Sequence, residues 1–255
     1  MPVCRCGASR RIHRVPSKLA DTHPFTNELL SIIVPVFNEE ATVRAVIERL
    51  LSIELPVARE IVVVNDGSTD GTRNVLDSLP PAGDRLRIVH APVNSGKGRA
   101  IRTGFEQARG SIVAIQDADL ELDPAEIGAL VLPILSKQTS AVYGSRFLNG
   151  TQGAPFVTVA ANRFLTGLTN VLYGARLTDM ETCYKVMRTE VARALQLESN
   201  RFDIEPEITA KLLRAGHHIL ERPVKFEPRS RAQGKKIGWR DGVKAIAVLM
   251  EYRFR

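Results

Sequence analysis

The chain is poor in cysteine, with Cys4, Cys6 and Cys183 the only three in 255 residues. Three thiols make no disulfide framework. Cys4 and Cys6 stand too close for a zinc knuckle and have no second pair, so a reduced compartment is expected and Cys183 reads as packing. Long apolar runs are also missing. Nothing approaches the roughly 18–20 residues of a membrane span, and the apolar stretch 243–250 is short and flanked by charge. Residues 1–28 have no apolar h-region; they are basic, broken by Pro2, Pro16 and Pro24, and read as a flexible tail. Neither GxxxxGK[ST] nor a GxGxxG after the first strand is present, which counts against P-loop and dehydrogenase chemistry. The net charge of +7 is not spread along the chain. Residues 1–30 contribute +3 and residues 221–255 contribute +6, leaving −2 for the body. A nearly neutral body with basic ends is a poor nucleic-acid surface and a better match for acidic headgroups or phosphates.

What is present is regular alternation. Strands are expected at 30–37, 60–64, 86–90, 111–116 and 141–147, with helices at 39–51, from the turn at 65–72 to about 79, at 100–108 and at 124–135. The later part is less even, with helices at 160–172, 190–197 and 204–215, strand character at 180–188 and 218–226, and a last helix from about 239. Alternating strands and helices predict an α/β fold, Rossmann-like, its mostly parallel sheet covered by helices on both faces. The polar turns after the first four strands then fall on one edge, where such sheets bind ligands.

Those turns carry the chemistry. In "SIVAIQDADLELDP" the alternation of Asp117 and Asp119 points two carboxylates to one side of an extended segment, and Glu121 extends the series. Hard oxygen donors at a strand end suit Mg²⁺ or Mn²⁺ completed by a ligand's phosphates; the alternative is a solvated acidic turn. Asp123, directly before Pro124, reads as a helix cap. In "VNDGSTDGT", Gly67 permits a sharp turn, and Asp66 is left to accept hydrogen bonds from a base or sugar, or simply to form the turn. In "NSGKGRA", Lys97 stands between two glycines ahead of a helix, where a cation can meet a diphosphate.

Taken in order, "IIVPVFNEE", "VVVNDGSTDGT", "NSGKGRAIRTGF", "QDADLELDP", "YGSRF" and "TDMETCYKVMR" resemble the family 2 glycosyltransferases, and among them the dolichol-phosphate sugar synthases. The resemblance runs from about residue 31 to 229. It implies a GT-A fold and inverting, metal-dependent transfer of a hexose from a nucleotide sugar, UDP-glucose or GDP-mannose, to a polyprenyl phosphate. Carried over by position, Pro35, Val36, Asn38 and Glu39 surround the nucleoside and Asp66 meets the base. Lys97 lies near the donor, and Asp117, Asp119 and Glu121 gather the metal and diphosphate. Relatives often have Gln where Glu121 stands and Asp where Asn65 stands.

On the acceptor side Arg146 and Arg163 offer fork donors suited to phosphate, each otherwise a surface ion-pair residue. Arg146 joins Asp117 and Asp119 as the expected catalytic set. A phosphate monoester, with a second pKa of roughly 6, needs no protein base to attack. The run "PRSRAQGKK", with Arg229, Arg231, Lys235 and Lys236, reads as a loop closing over phosphates or a solvated charge run. The expected division is a tail over 1–28, a GT-A domain over 29–228, and a basic loop with an amphipathic helix over 229–255. That helix can lie on a membrane, pack on the domain, or meet a second copy in a homodimer. The expected location is cytoplasmic, peripheral to the membrane's cytoplasmic face. Two other readings stay open: a transferase with a soluble glycan or small-molecule acceptor, and a non-catalytic sugar-nucleotide-binding partner of a membrane enzyme.

Overall fold

The computed structural model describes residues 27–151, 153–228 and 239–255. The N-terminal stretch 1–26 and the segment holding Arg229, Arg231, Lys235 and Lys236 lie outside the described residues. The first half alternates strictly: β1 (Leu29–Val36), α1 (Val43–Ser52), β2 (Ala58–Asp66), α2 (Thr72–Asp77), β3 (Leu86–Ala91), α3 (Lys97–Gln107), β4 (Ile112–Ile115), α4 (Ile127–Leu135) and β5 (Ala141–Ser145). It continues with α5 (Phe156–Tyr173), β6 (Lys185–Arg188), α6 (Thr189–Ala194), α7 (Ile204–Arg214), β7 (Ile219–Pro223) and α8 (Trp239–Phe254).

The seven strands form one sheet in the order β3-β2-β1-β4-β6-β5-β7. Pairings β1 with β2, β1 with β4, and β2 with β3 are parallel, whereas β6 runs antiparallel to both β4 and β5. The mostly parallel sheet is therefore as expected, with β6 as the reversed member. Period-two alternation fills both faces. Leu30, Ile32, Val34 and Val36 of β1 pack with α1 and α4 on one face. Ile33 packs with α3 on the other, where α7 and α8 also contribute. Each fully buried Ile, Leu or Val stabilises the fold by about 1.5–3 kcal/mol before entropy is set against it. Pro223, which has no N–H to donate, ends β7 at the sheet's edge, where a strand tolerates it.

Three boundaries moved for identifiable reasons. Helix α1 starts at Val43 because Asn38 takes a positive φ of 53° and the chain turns through Thr42 first. Helix α3 starts at Lys97 rather than 100, since the positive φ of Gly96 sets the chain directly into the helix. Strand β6 begins only at Lys185; the preceding residues 178–184 turn around the Lys185 ammonium, which donates to the carbonyls of Met180 and Thr182. The C-terminal α8 packs on α7 and α5, with Ala245, Leu249 and Tyr252 buried. Tyr173 of α5 donates its hydroxyl to the Leu249 carbonyl at 2.7 Å.

Candidate active site

The strand order reverses between β1 and β4: β2 and β3 follow on one side of β1, and β4 lies on the other. At such a reversal the connecting helices diverge and leave a crevice outside the carboxyl ends of the strands. The loops that the sequence marked leave from these ends.

The β1 and β2 loops are tied together. Thr69 N–H donates to Asn38 Oδ1 at 2.8 Å, Glu39 N–H to Thr72 Oγ1 at 2.9 Å, and Gly71 N–H to Glu40 at 2.7 Å. Asn38 tolerates its left-handed backbone, as short polar residues do. Pro35 and Val36 end β1, with the Val36 side chain buried in the core beside α1. Asp66, also buried, accepts from Ser95 N–H at 2.9 Å and Gly96 N–H at 2.7 Å. Its carboxylate therefore fixes the loop ahead of α3, a task the sequence reading did not give it.

Lys97 opens α3 and points at β4. Its ammonium lies 2.8 Å from Asp117 and 3.0 Å from Glu205 of α7. Burial works against its charge, yet the two carboxylates hold its pKa well above the usual lysine value. Asp117 is the converse: burial pushes it up, but Lys97 outweighs this and holds it below the usual value, with Cys183 also bonding to it. Cys183 thus lies beneath the site, and burial raises its thiol well out of reach of ionisation.

The expected trio of metal carboxylates is not assembled as one group. Among the described residues no three His, Cys, Asp or Glu side chains gather to hold an ion. Leu120 has a positive φ of 62° that turns the chain, Asp119 folds back to accept from Glu121 N–H at 3.1 Å, and Asp117 is drawn to Lys97. Half-buried Asp119 and Asp117 nevertheless stand two residues apart at the end of β4. One or two carboxylates suffice for Mg²⁺, whose remaining ligands are phosphates and water, so the donor set fits such an ion. Asp123 caps the next turn, accepting from Ala125 N–H at 3.0 Å.

Arg146 is not a bare fork. Its Nε and Nη2 engage the fully buried Asp179 at 2.7 and 2.8 Å, its own N–H adds 3.0 Å, and Asn162 of α5 reaches the same carboxylate at 2.8 Å. Burial and this pair act oppositely on Arg146, and the pair prevails, raising its pKa. Arg163 sits one residue further on α5, in a groove of about 420 Å³ with Thr151, Ala154, Phe156, Val159 and Ala160. Lys97, Asp117 and Glu205 thus meet directly, Arg146 meets Asp179, and Arg163 is apart on the outer side of α5.

Sequence reasoning missed Asp179, Glu181, Lys185 and Glu205. Lys185 is fully buried and paired with Glu205, and that pair continues the Lys97 network. The available signal was Glu205 between Ile204 and Ile208, an acid on an apolar helix face, which demands a buried partner.

A doubly wound sheet carrying acidic and lysine-bearing loops at its switch point is the architecture of the GT-A glycosyltransferases. The crystal structure of glucosyl-3-phosphoglycerate synthase from Mycobacterium tuberculosis has this fold, with a TM-score of 0.68 at 21% identity over 89% of this chain and 81% of that one. The same enzyme has been solved with Mn²⁺, UDP and glucosyl-3-phosphoglycerate (TM-score 0.66, 20% identity, 89% of this chain and 81% of that one). Residues 31–196 match the model of glycosyl transferase family 2, and the chain belongs to that family. Its relatives include glycosyltransferase AglD of Haloferax volcanii, 31% identical over 207 residues, which cover 78% of this chain and 33% of that protein. Another is the dodecaprenyl-phosphate galacturonate synthase of Rhizobium johnstonii, 30% identical over 206 residues, 76% of this chain and 60% of that one. The chain spans about a third to three fifths of the length of these two relatives.

Proposed function

We propose that this chain transfers a hexose, with inversion, from a nucleotide sugar to a polyprenyl phosphate. The observation that carries the reading is Lys97 paired with Asp117, beside Asp119, at the carboxyl end of β4 where the strand order reverses. In this reading Asn38, Glu39 and the backbone at Pro35 and Val36 border the nucleoside, and the Asp66-fixed loop closes over it. Mg²⁺ or Mn²⁺, each found in a crystal structure of the fold neighbour glucosyl-3-phosphoglycerate synthase, would be held by Asp119 with Asp117. When bound it neutralises charge on the departing diphosphate. Glu121, two residues on, supports Asp119 through its backbone N–H.

Lys97 supplies the fixed positive charge: as a diphosphate enters, its ammonium is shared between Asp117, Glu205 and the phosphate oxygens. Arg146, held rigid by Asp179, presents its positive charge on the acceptor side. Arg163 borders an apolar groove that suits a prenyl chain ending in phosphate, with Arg229 and Lys235 as further phosphate partners. The acceptor phosphate is ionised near neutral pH, so the chain's task is positioning rather than proton removal. The named substrates of the Rhizobium johnstonii and Trichomonas vaginalis relatives, dodecaprenyl and dolichyl phosphates, support this acceptor class.

Helix α5 supports a membrane contact in this reading. Its outer face exposes Phe156, Phe164 and Val171 at 84%, 61% and 83%, with Arg163 among them. An apolar stripe with basic neighbours fits an anionic bilayer surface. Among the described residues no helix is long and apolar enough to cross a membrane.

Calorimetric titration of UDP-glucose and GDP-mannose with Mn²⁺ tests the donor, followed by transfer to polyprenyl phosphate in detergent. Asp119→Ala is expected to abolish the dependence of donor binding on Mn²⁺. Transfer only to soluble acceptors would replace the lipid reading, and tight donor binding without turnover to either would make the chain a binding partner.

A further inference from the structure

Between the two ion-pair systems of the site runs the segment 178–184, and it carries one acid that neither system uses. Glu181 Oε1 is shut away from solvent and has no hydrogen-bond partner. The charged groups that act on the carboxyl are Lys185, Glu205, Arg146 and Asp179. The cations among them are engaged elsewhere. Lys185 gives its ammonium to Glu205 and to the carbonyls of Met180 and Thr182, while Arg146 gives Nε and Nη2 to Asp179. A buried carboxyl oxygen without a donor is unfavourable, and native structures retain such a group where something else completes it.

We propose that Glu181 reads the transferred sugar, its Oε1 accepting a hydrogen bond from a hydroxyl of the hexose in the bound nucleotide sugar. The proposal rests on the donor reading given above. The chemistry selects a hydroxyl. A phosphate oxygen has no proton to give to an accepting carboxyl oxygen and is repelled by the ionised form, whereas Lys97 offers the diphosphate a fixed positive charge, so the diphosphate belongs at Lys97. A metal ion would need companion oxygen ligands, and the acids that act on Glu181 are already taken, Asp179 by Arg146 and Asn162 and Glu205 by Lys97 and Lys185. A hydroxyl both donates and accepts, and so satisfies the carboxyl whether it is ionised or protonated. Burial favours the protonated form near neutrality, which makes that two-way capacity useful. Glu181 is therefore a specificity residue, acting on which sugar is held rather than on the nucleotide.

The test compares binding of bare UDP and GDP with UDP-glucose, UDP-galactose and GDP-mannose in the full chain with Mn²⁺, for wild type and Glu181→Met. Methionine keeps the unbranched shape and removes the acceptor. The expected result is a folded variant whose affinity for the bare nucleotide is unchanged within twofold. Its affinity for the preferred nucleotide sugar falls about tenfold, a loss of about 1.4 kcal/mol. Glu181→Asp, which keeps the charge and withdraws it by one carbon, is expected to show the same split and decides the case if the apolar variant does not fold. Parallel weakening of nucleotide and nucleotide sugar, or no change in either, overturns the sugar contact while leaving the transferase reading intact. Failure of wild type to bind any of the five ligands overturns the donor reading and the inference together.

Discussion

Asp179 has no exposed surface, and its two oxygens accept from Arg146 three times and from Asn162 once. Burial pushes its carboxyl up, and Arg146 with these hydrogen bonds outweighs that and holds it below the ordinary 3.8. The pair's stabilisation is therefore present above about pH 4 and is lost only as the pH falls through that lower folded value. Cutting it leaves the Arg146 charge enclosed, so Asp179→Ala is expected to cost about 3–5 kcal/mol in urea denaturation at pH 7. Glu181 has the opposite sign. Burial raises it from 4.5 to about 7, with Glu205 and Asp179 adding to the push against Lys185 and Arg146. Its protonated form is preferred by the fold, so its contribution is full below pH 4.5 and lost as the pH rises towards 7. Wild type should lose on the order of 2 kcal/mol relative to Glu181→Gln between pH 4.5 and 7, read as the difference between their denaturation midpoints at each pH. Equal pH slopes for the two proteins would contradict the buried acid.

At the scale of elements, α3 lies so close to β1 that Gly104 has no room for a side chain: a Cβ there would run into Ile33 Cγ2. Ile33 is β-branched, has no exposed surface and cannot swing aside. Gly104→Ala gains roughly 1 kcal/mol of helix propensity and loses about 1–3 kcal/mol to overpacking, so its melting temperature is expected to fall. A rise would mean that α3 shifts freely. The sequence showed α3 and its neighbours through apolar runs such as Ile61 to Val64, broken by Gly, Pro and Asp at the turns. It showed Asp117 and Asp119 because charge directly after a buried strand is conspicuous, and Lys97 because it stands between Gly96 and Gly98 at the start of a helix. It did not show β6 reversed between β4 and β5, because strand direction leaves no period in the residues. Nor did it show that Arg146 is occupied. That depends on Asp179, 33 residues away, reaching the same point through a turn built around Lys185.

At the scale of the molecule, the same helix closes the site and faces outward. Asn162 on the inner side of α5 bonds Asp179, and through it Arg146, while Phe164 and Val171 stand on the outer side. Helix α8, for which membrane, domain and second-copy contacts were all open, spends Ala245, Leu249 and Tyr252 on α7 and α5, which leaves α5 with the larger uncovered apolar stripe among the described residues. A surface seated on α5 would thus lie within one helix diameter, about 10–12 Å, of the Arg146 pair, a suitable separation for a phosphate carried at the end of a bilayer-anchored chain. The basic ends of the sequence add an attraction that reaches about 8–10 Å at physiological salt and fades above it. Two contributions can therefore be separated by salt. Wild type is expected to co-sediment with vesicles containing anionic phospholipid, to lose part of that binding at 0.5 M salt, and to retain the remainder through α5. Phe164→Glu with Val171→Glu alters only exposed positions, so the melting temperature should stay within about 2 °C, consistent with the small effects of surface substitutions. The salt-resistant fraction should then disappear, and transfer to polyprenyl phosphate in vesicles should fall at least tenfold while nucleotide-sugar affinity holds. If the double variant sediments like wild type at high salt, α5 is not the face that meets the membrane.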